Sequence, residues 1–214
     1  MNCWGNKENL IAESSSEDYY DYQQIRPTVF VDNSRIRRLT WPSTKIFAVL
    51  TPHLDFDLVL VRGPEPSFRW PTFCNELLDL FDDLEVNLVL TLGALLADAP
   101  HTRRISVSGS SPNPELAKRF GFKVSRYEGP TGILGAIQDT CQRRELDVLS
   151  LWAALPHYAS AAPSPKATLA LLEDLETILE ISIPHSDLPE AAKAWEIAVS
   201  QLAEEDAEIS EYVK

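Results

Sequence analysis

Phe73-Cys-Asn-Glu-Leu77-Leu-Asp-Leu80-Phe-Asp-Asp-Leu84-Glu-Val86-Asn-Leu-Val-Leu-Thr-Leu92 changes period part-way along. Phe73, Leu77, Leu80 and Leu84 recur at the spacing of a helix with one apolar stripe, and Val86 to Leu92 then becomes a nearly continuous apolar run. A strand covered by helices on both faces reads this way, because neither face needs to alternate with polar residues. Working outward, Ile46 to Leu50 and Leu58 to Val61 are apolar strands before this stretch and Val148 to Trp152 is another after it. Helical patterns cover Gly132 to Arg144 and Pro165 to Leu179, the second opened by Ser164 and Pro165. The alternation predicts an α/β protein built on a three-layer, doubly wound and mostly parallel sheet.

The flanks are read in the same way. Thr28-Val-Phe-Val31, then Asp32-Asn-Ser34, then Arg35 to Trp41 spell a β-hairpin. Asn113-Pro114-Glu115 through Phe120-Gly121 is a short helix with an Asn cap, Pro in the first turn and Gly past the end, and a strand is predicted near Lys123 to Tyr127. At the carboxyl end, Asp187 stands at a cap position with Glu190 three residues on. Leu188, Ala191, Trp195, Val199 and Leu202 then form one stripe, with Glu196, Glu204, Glu205 and Glu208 opposite, which predicts a long C-terminal amphipathic helix. With 214 residues and no clear linker, a single domain spanning 1–214 is expected.

Composition narrows the function classes. A chain with 44% hydrophobic and 24% charged residues has ordinary globular usage. Its net charge of -13 disfavours nucleic acid, where clustered cations must neutralise phosphates, and anionic membrane surfaces. Cys3, Cys74 and Cys141 are odd in number and widely spaced, without a Cys-x-x-Cys pair, so neither a disulfide framework nor a zinc knuckle fits. Met1 to Lys7 lacks a signal-peptide pattern, and the most apolar run, Leu88 to Ala97, is too short to span a bilayer. A cytoplasmic protein is expected.

Three groups of residues have chemistry to offer. Gly129-Pro-Thr131-Gly132-Ile-Leu-Gly135 lies between a strand and a helix, where free N–H groups could hold a phosphate or carboxylate. The spacing is neither the dinucleotide fingerprint nor a P-loop, and a structural turn capped by Thr131 is the plainer reading. Asp98, His101 and Arg103 follow one strand, and His157 and Tyr158 follow another, so both groups are expected at strand carboxyl ends, where open α/β sheets bind ligands. They read as an anion cleft or as satisfied loop and interface residues. Arg62, Glu65 and Arg69 follow a further strand and read as an internal salt-bridge cluster or an anion clamp. No His-x-x-x-His or carboxylate pair suggests a metal, and no cofactor is implied. There is no Gly-x-Ser-x-Gly elbow, and Cys74 and Cys141 fall within amphipathic helices, where buried structural thiols are expected.

Four stretches together resemble the proteasome assembly chaperone family in its bacterial branch. They are Val61-Arg-Gly-Pro-Glu-Pro-Ser-Phe-Arg-Trp70, Thr91-Leu-Gly-Ala-Leu-Leu-Ala-Asp-Ala-Pro-His-Thr-Arg103, Ser125-Arg-Tyr-Glu-Gly-Pro-Thr-Gly132 and Ser150-Leu-Trp-Ala-Ala-Leu-Pro-His-Tyr158. Asp18-Tyr-Tyr-Asp-Tyr22, Arg26-Pro-Thr28 and Pro165-Lys-Ala-Thr-Leu169 extend the match from about Leu10 to the C-terminus. The resemblance implies a phosphorylase/hydrolase-like three-layer fold and self-association, with trimers favoured, and no known reaction. Members resembling this chain begin with an extra βα unit carrying Gly-Trp and Asp-Ala-Gly, and this sequence starts where that unit should end. Either the start codon lies elsewhere or association compensates for the missing strand. The tail Tyr212-Val213-Lys214 misses the hydrophobic-Tyr-any docking signal of proteasome partners by one position.

Two functions are therefore carried forward. One is a non-catalytic interaction protein, a proteasome-assembly-chaperone-like homo-oligomer with proteasome subunits or other proteins as partners. The other is an enzyme, of hydrolase, phosphorylase or ATP-dependent ligase type, with an anion-binding cleft at the strand ends.

Overall fold

The computed structural model describes residues 8–33, 35–122, 125, 127–159 and 162–205. The strand predicted near Lys123 to Tyr127 falls largely outside these residues, as do Cys3, Ser34 of the hairpin turn, Glu208 and the Tyr212 tail. The chain divides into two compact units, 1–86 with 130–140 and 87–129 with 141–214.

In the first unit, β1 (Asn9–Glu13), β4 (Lys45–Val49) and β5 (Leu58–Arg62) form a sheet in the order β1-β4-β5, and both pairings are antiparallel. The parallel arrangement read from the apolar runs at Ile46 and Leu58 is thereby corrected. Residues 50–57 join β4 to β5, fewer than the dozen or so that a parallel crossover needs, and they close a hairpin instead. Nor is β5 covered on both faces, since Leu60, Val61 and Arg62 are exposed. A separate ribbon pairs β2 (Thr28–Val31) with β3 (Arg37–Thr40), the predicted hairpin. After β1, α1 (Ser16–Tyr19) buries Tyr19, and after β5, α2 (Trp70–Asp83) buries Phe73, Cys74, Leu77, Leu78 and Phe81; of the predicted stripe Phe73 and Leu77 are buried, Leu80 is half-buried and Leu84 is exposed. The first turns of α4 (Ile133–Arg143) complete this unit.

The second unit holds the predicted parallel pair. β6 (Leu88–Ala97) and β8 (Asp147–Pro156) run side by side from Leu88 opposite Asp147 to Ala97 opposite Pro156. β7 (Val107–Ser110) adds antiparallel on the far side of β8. Leu149 and Leu151 of β8, both fully buried, pack with Leu175 and Ile178 of α5 (Pro165–Leu179). Gly93 lies opposite Trp152 in the register, and a Cβ there would come within 2.6 Å of the indole, so the absent side chain makes room for the ring. Buried hydroxyls of Thr91 and Ser150 meet across the two strands at 2.7 Å, so each is satisfied.

The helix ends follow the sequence. Asn113 accepts the N–H groups of Glu115 and Leu116 at 3.0 and 3.4 Å to open α3 (Pro114–Arg119). Ser164 does the same for Ala167 at 3.4 Å ahead of α5. The last helix, α6 (Leu188–Glu205), is rotated from the predicted stripe. Ala192, Val199 and Ala203 are its buried residues, Leu202 is exposed, and Glu196 is half-buried. The inward position of Glu196 has a counter-charge in Lys166 of α5. The fold class is mixed α/β, with parallel pairing among the described residues confined to β6 and β8.

Candidate functional site

The ten residues singled out by chemistry fall into two groups, one in each unit. Arg62, Glu65, Arg69, Thr131 and Gly132 belong to the first; Asp98, His101, Arg103, His157 and Tyr158 belong to the second.

In the first group, Arg62 ends β5, where its guanidinium lies 4.4 Å from the centre of the Phe47 ring and 3.5 Å from Glu8. Arg69 takes a left-handed backbone, φ 56°, just before α2, and reaches Asp18 at 2.6 Å. That carboxylate sits beside Tyr19, whose hydroxyl bonds Glu76. Burial, then the hydrogen bond to Glu76 and its negative charge, push the Tyr19 phenol up to about 12. At the start of α4 the expected space for an anion is filled from within. Glu65 Oε1 accepts the Ile133 N–H at 2.6 Å. Gly132 supplies the first helical carbonyl, and a Cβ on it would lie 2.9 Å from the same carboxylate oxygen. Thr131 therefore stands one residue ahead of the cap position, and the cap comes from a residue distant in sequence. The negative carboxylate faces the positive end of the helix dipole, as a bound anion would.

In the second group, His101 is 1% exposed and saturated with partners. The Ser200 hydroxyl donates to the Glu196 carbonyl at 3.0 Å. The imidazole Nε2–H consequently donates to Ser200 Oγ at 2.9 Å, and Nδ1 accepts the Tyr158 O–H at 2.9 Å. The phenol oxygen in turn takes the His101 backbone N–H at 2.9 Å, while Lys166 Nζ donates to the His101 carbonyl at 2.6 Å and pairs with Glu196. Burial holds the imidazole below its ordinary pKa, with Glu196 pulling it up and Lys166 pressing it down. The ring is thus a neutral imidazole that ties the loop after β6 to the single 3-10 turn at His157–Ala159, to α5 and to α6. His157 reaches Asp98 at 3.6 Å, the Asp98 side chain being 89% exposed, and Arg103 lies exposed on the turn after Pro100.

Sequence reasoning named His101 and Tyr158 and missed what closes around them. The sequence offers Lys166 only within the Pro165-Lys-Ala-Thr motif, and the apolar stripe puts Glu196 on the outer face of its helix. No local pattern marks Ser200. Cys74 and Cys141 are buried thiols. Among the described residues no cluster of His, Cys, Asp and Glu is placed to hold a metal ion, and no helix is long and apolar enough to cross a membrane. A shallow groove of about 780 Å³ opens elsewhere, beside the hairpin, lined by residues that include Glu13, Phe30, Arg38 and Trp41.

The profile of the PAC2 family matches residues 7–203. The chain belongs to the PAC2 family. This bears out the resemblance read from the four motifs. A solved PAC2 family protein from Streptomyces avermitilis is 49% identical, with a TM-score of 0.89 over 97% of this chain and 87% of that one. A Mycobacterium tuberculosis proteasome-assembly chaperone homologue is 45% identical, with a TM-score of 0.85 over 97% of this chain and 88% of that one. An archaeal proteasome activator from Pyrococcus furiosus shares the fold at 17% identity and a TM-score of 0.64, over 82% of this chain and 76% of that one. No match to a curated protein was found.

Proposed function

We propose that this PAC2 family chain is a proteasome-assembly-chaperone-like protein that acts by binding other proteins and not by catalysis. The observation that carries the reading is a reversal of ordinary exposure at two places: His101 is buried with both ring nitrogens hydrogen-bonded, while Val29, Phe30, Val31, Leu39 and Trp41 stand in solvent. Exposed apolar side chains grouped on one element mark surfaces made to be covered by a partner. The similarity to a mycobacterial proteasome-assembly chaperone homologue supports proteasome subunits as first partners; self-association into a homo-oligomer, with a trimer favoured, follows the family resemblance alone. Similarity to a solved relative over 97% of the chain supports treating 1–214 as one domain; the phosphorylase/hydrolase-like fold follows the family resemblance, and a cytoplasmic setting follows the few, widely spaced cysteines.

The enzyme reading requires the strand-end loops to present their groups to a substrate. His101 is enclosed, and Glu65 places a negative charge where an anion would bind. The test is reconstitution. Purified proteasome α and β subunits from the same cell should form a complex with the chain by native mass spectrometry, and their assembly should accelerate in its presence. Absence of any complex at micromolar concentration, together with reproducible turnover that disappears in His157→Ala, would overturn the proposal.

A further inference from the structure

Every strand residue of the β2–β3 ribbon is exposed. Two-stranded ribbons are marginal in water unless something packs on them. Cross-strand register sorts the side chains, since residues directly opposite share a face. Val29 with Leu39 and Val31 with Arg37 make one face; Phe30 with Arg38 and Thr28 with Thr40 make the other. The second face is in part engaged at home, because Arg38 Nε donates to Asp32 at 3.0 Å and Asp32 also accepts the Ile36 N–H. The first face is apolar and bare, with Val29, Val31 and Leu39 exposed by 45%, 60% and 53% around Arg37.

Charge singles out this segment as well. Arg26, Arg35, Arg37 and Arg38 against Asp32 give residues 26–41 a net +3, so a whole-chain charge of -13 leaves -16 on the rest. The basic, apolar hairpin is thus carried by an acidic body.

We infer that the Val29, Val31 and Leu39 face is a docking arm that seats on the acidic surface of a second copy of this chain. This rests on the self-association proposed above and names its surface. Charge decides both the occupant and the geometry. Two hairpins meeting face to face would bring like charges together in a desolvated contact, whereas the body of another copy offers the opposite sign. The contact is therefore head-to-tail and not two-fold, and such a contact closes into a ring where the rotation allows.

The test uses the full chain, with light scattering after size exclusion and native mass spectrometry, on the wild type and two variants. Val31→Asp combined with Leu39→Asp should weaken association at least tenfold. Arg37→Glu, a change at an exposed side chain, should weaken it too, and salt, which loosens the wild-type contact by screening its attraction, should not loosen that of the variant. Circular dichroism and melting curves establish that each variant is folded, and Arg37→Glu keeps the test intact should the double variant fail to fold. A monomeric wild type at micromolar concentration overturns the arm and the self-association together. An oligomeric wild type whose variants stay oligomeric overturns the arm alone. Tighter association in Arg37→Glu overturns the head-to-tail geometry, because relief of repulsion is the mark of hairpin meeting hairpin. Unchanged oligomers whose hairpin variants lose proteasome subunits overturn the choice of a second copy as occupant.

Discussion

Around His101, polar side chains are buried and satisfied; along β2 and β3, apolar side chains stand in solvent. Each region reverses the ordinary preference of its residue types. At His101 the reversal is compensated within the chain by Tyr158, Ser200 and Lys166, so its consequence should be stability. At the hairpin no such compensation lies on the exposed face, so its consequence should be association. A histidine between strand ends is not evidence of chemistry until its hydrogen bonds are counted. The contrast can be broken by experiments that ask whether the two regions respond independently.

The largest effect is expected from His101→Ala. The substitution opens a cavity and removes the ring that accepts the Tyr158 O–H and donates to Ser200 Oγ, which together cost about 3–5 kcal/mol. Urea unfolding should show the midpoint falling with little change in slope. Leu39→Asp, by contrast, should leave the unfolding of the monomer nearly unmoved, and equal destabilisation by both would erase the distinction.

Lys166→Met should cost less, roughly 2–4 kcal/mol, because it removes the counter-charge of the half-buried Glu196 and a donor to the His101 carbonyl while keeping most of the volume. Restoring stability with Glu196→Gln in the same chain would show that the stranded carboxylate, and not lost packing, carries the cost. A double variant no more stable than Lys166→Met alone would count against that account.

These predictions concern groups that the sequence placed only in outline. The hairpin, the Phe73 and Leu77 half of the α2 stripe and the caps at Asn113 and Ser164 were legible because each depends on neighbours within a few residues. Strand direction at β4 and β5 was not legible from the apolar runs, because a half-covered antiparallel strand and a covered parallel one share the same short pattern; only the short connection 50–57 decides it. β1 and β7, Asn-Leu-Ile-Ala-Glu and Val-Ser-Gly-Ser, escaped notice since neither run is long or apolar enough to stand out. Glu196 was misplaced for a different reason. A hydrophobic stripe puts every carboxylate outside, and only Lys166, thirty residues earlier, gives this one a reason to face inward. The candidate site divided in the same way: the residue types were found, but their saturation depends on helices distant in sequence.

The neutral state of His101 sharpens the comparison through pH. Burial lowers its pKa in the folded chain, so the unfolded chain binds the proton more readily. The stability contributed by the neutral ring is fully present above the ordinary histidine value of about 6.5 and is lost as pH falls below it. Loss should approach about 1.4 kcal/mol per pH unit for one proton. In His101→Gln the slope between pH 7 and 5 should flatten. A slope identical to wild type would show that other groups, carboxylates among them, govern acid unfolding.

The smallest effect is expected at α4. Glu65→Ala removes the acceptor of the Ile133 N–H and a negative charge at a helix N-terminus, a loss of about 1 kcal/mol by comparison with ordinary caps. Glu65→Gln keeps the acceptor and loses only the charge, so it should retain more than half of that stability. The pair also tests the last remnant of the anion site. If the carboxylate excludes anions from the Gly129 to Gly135 turn, Glu65→Ala should let millimolar phosphate recover part of the lost melting temperature, while wild type should be insensitive. Phosphate that stabilises wild type and variant equally would mean that Glu65 does not occupy the anion's place, and that the turn must be considered again as a ligand loop.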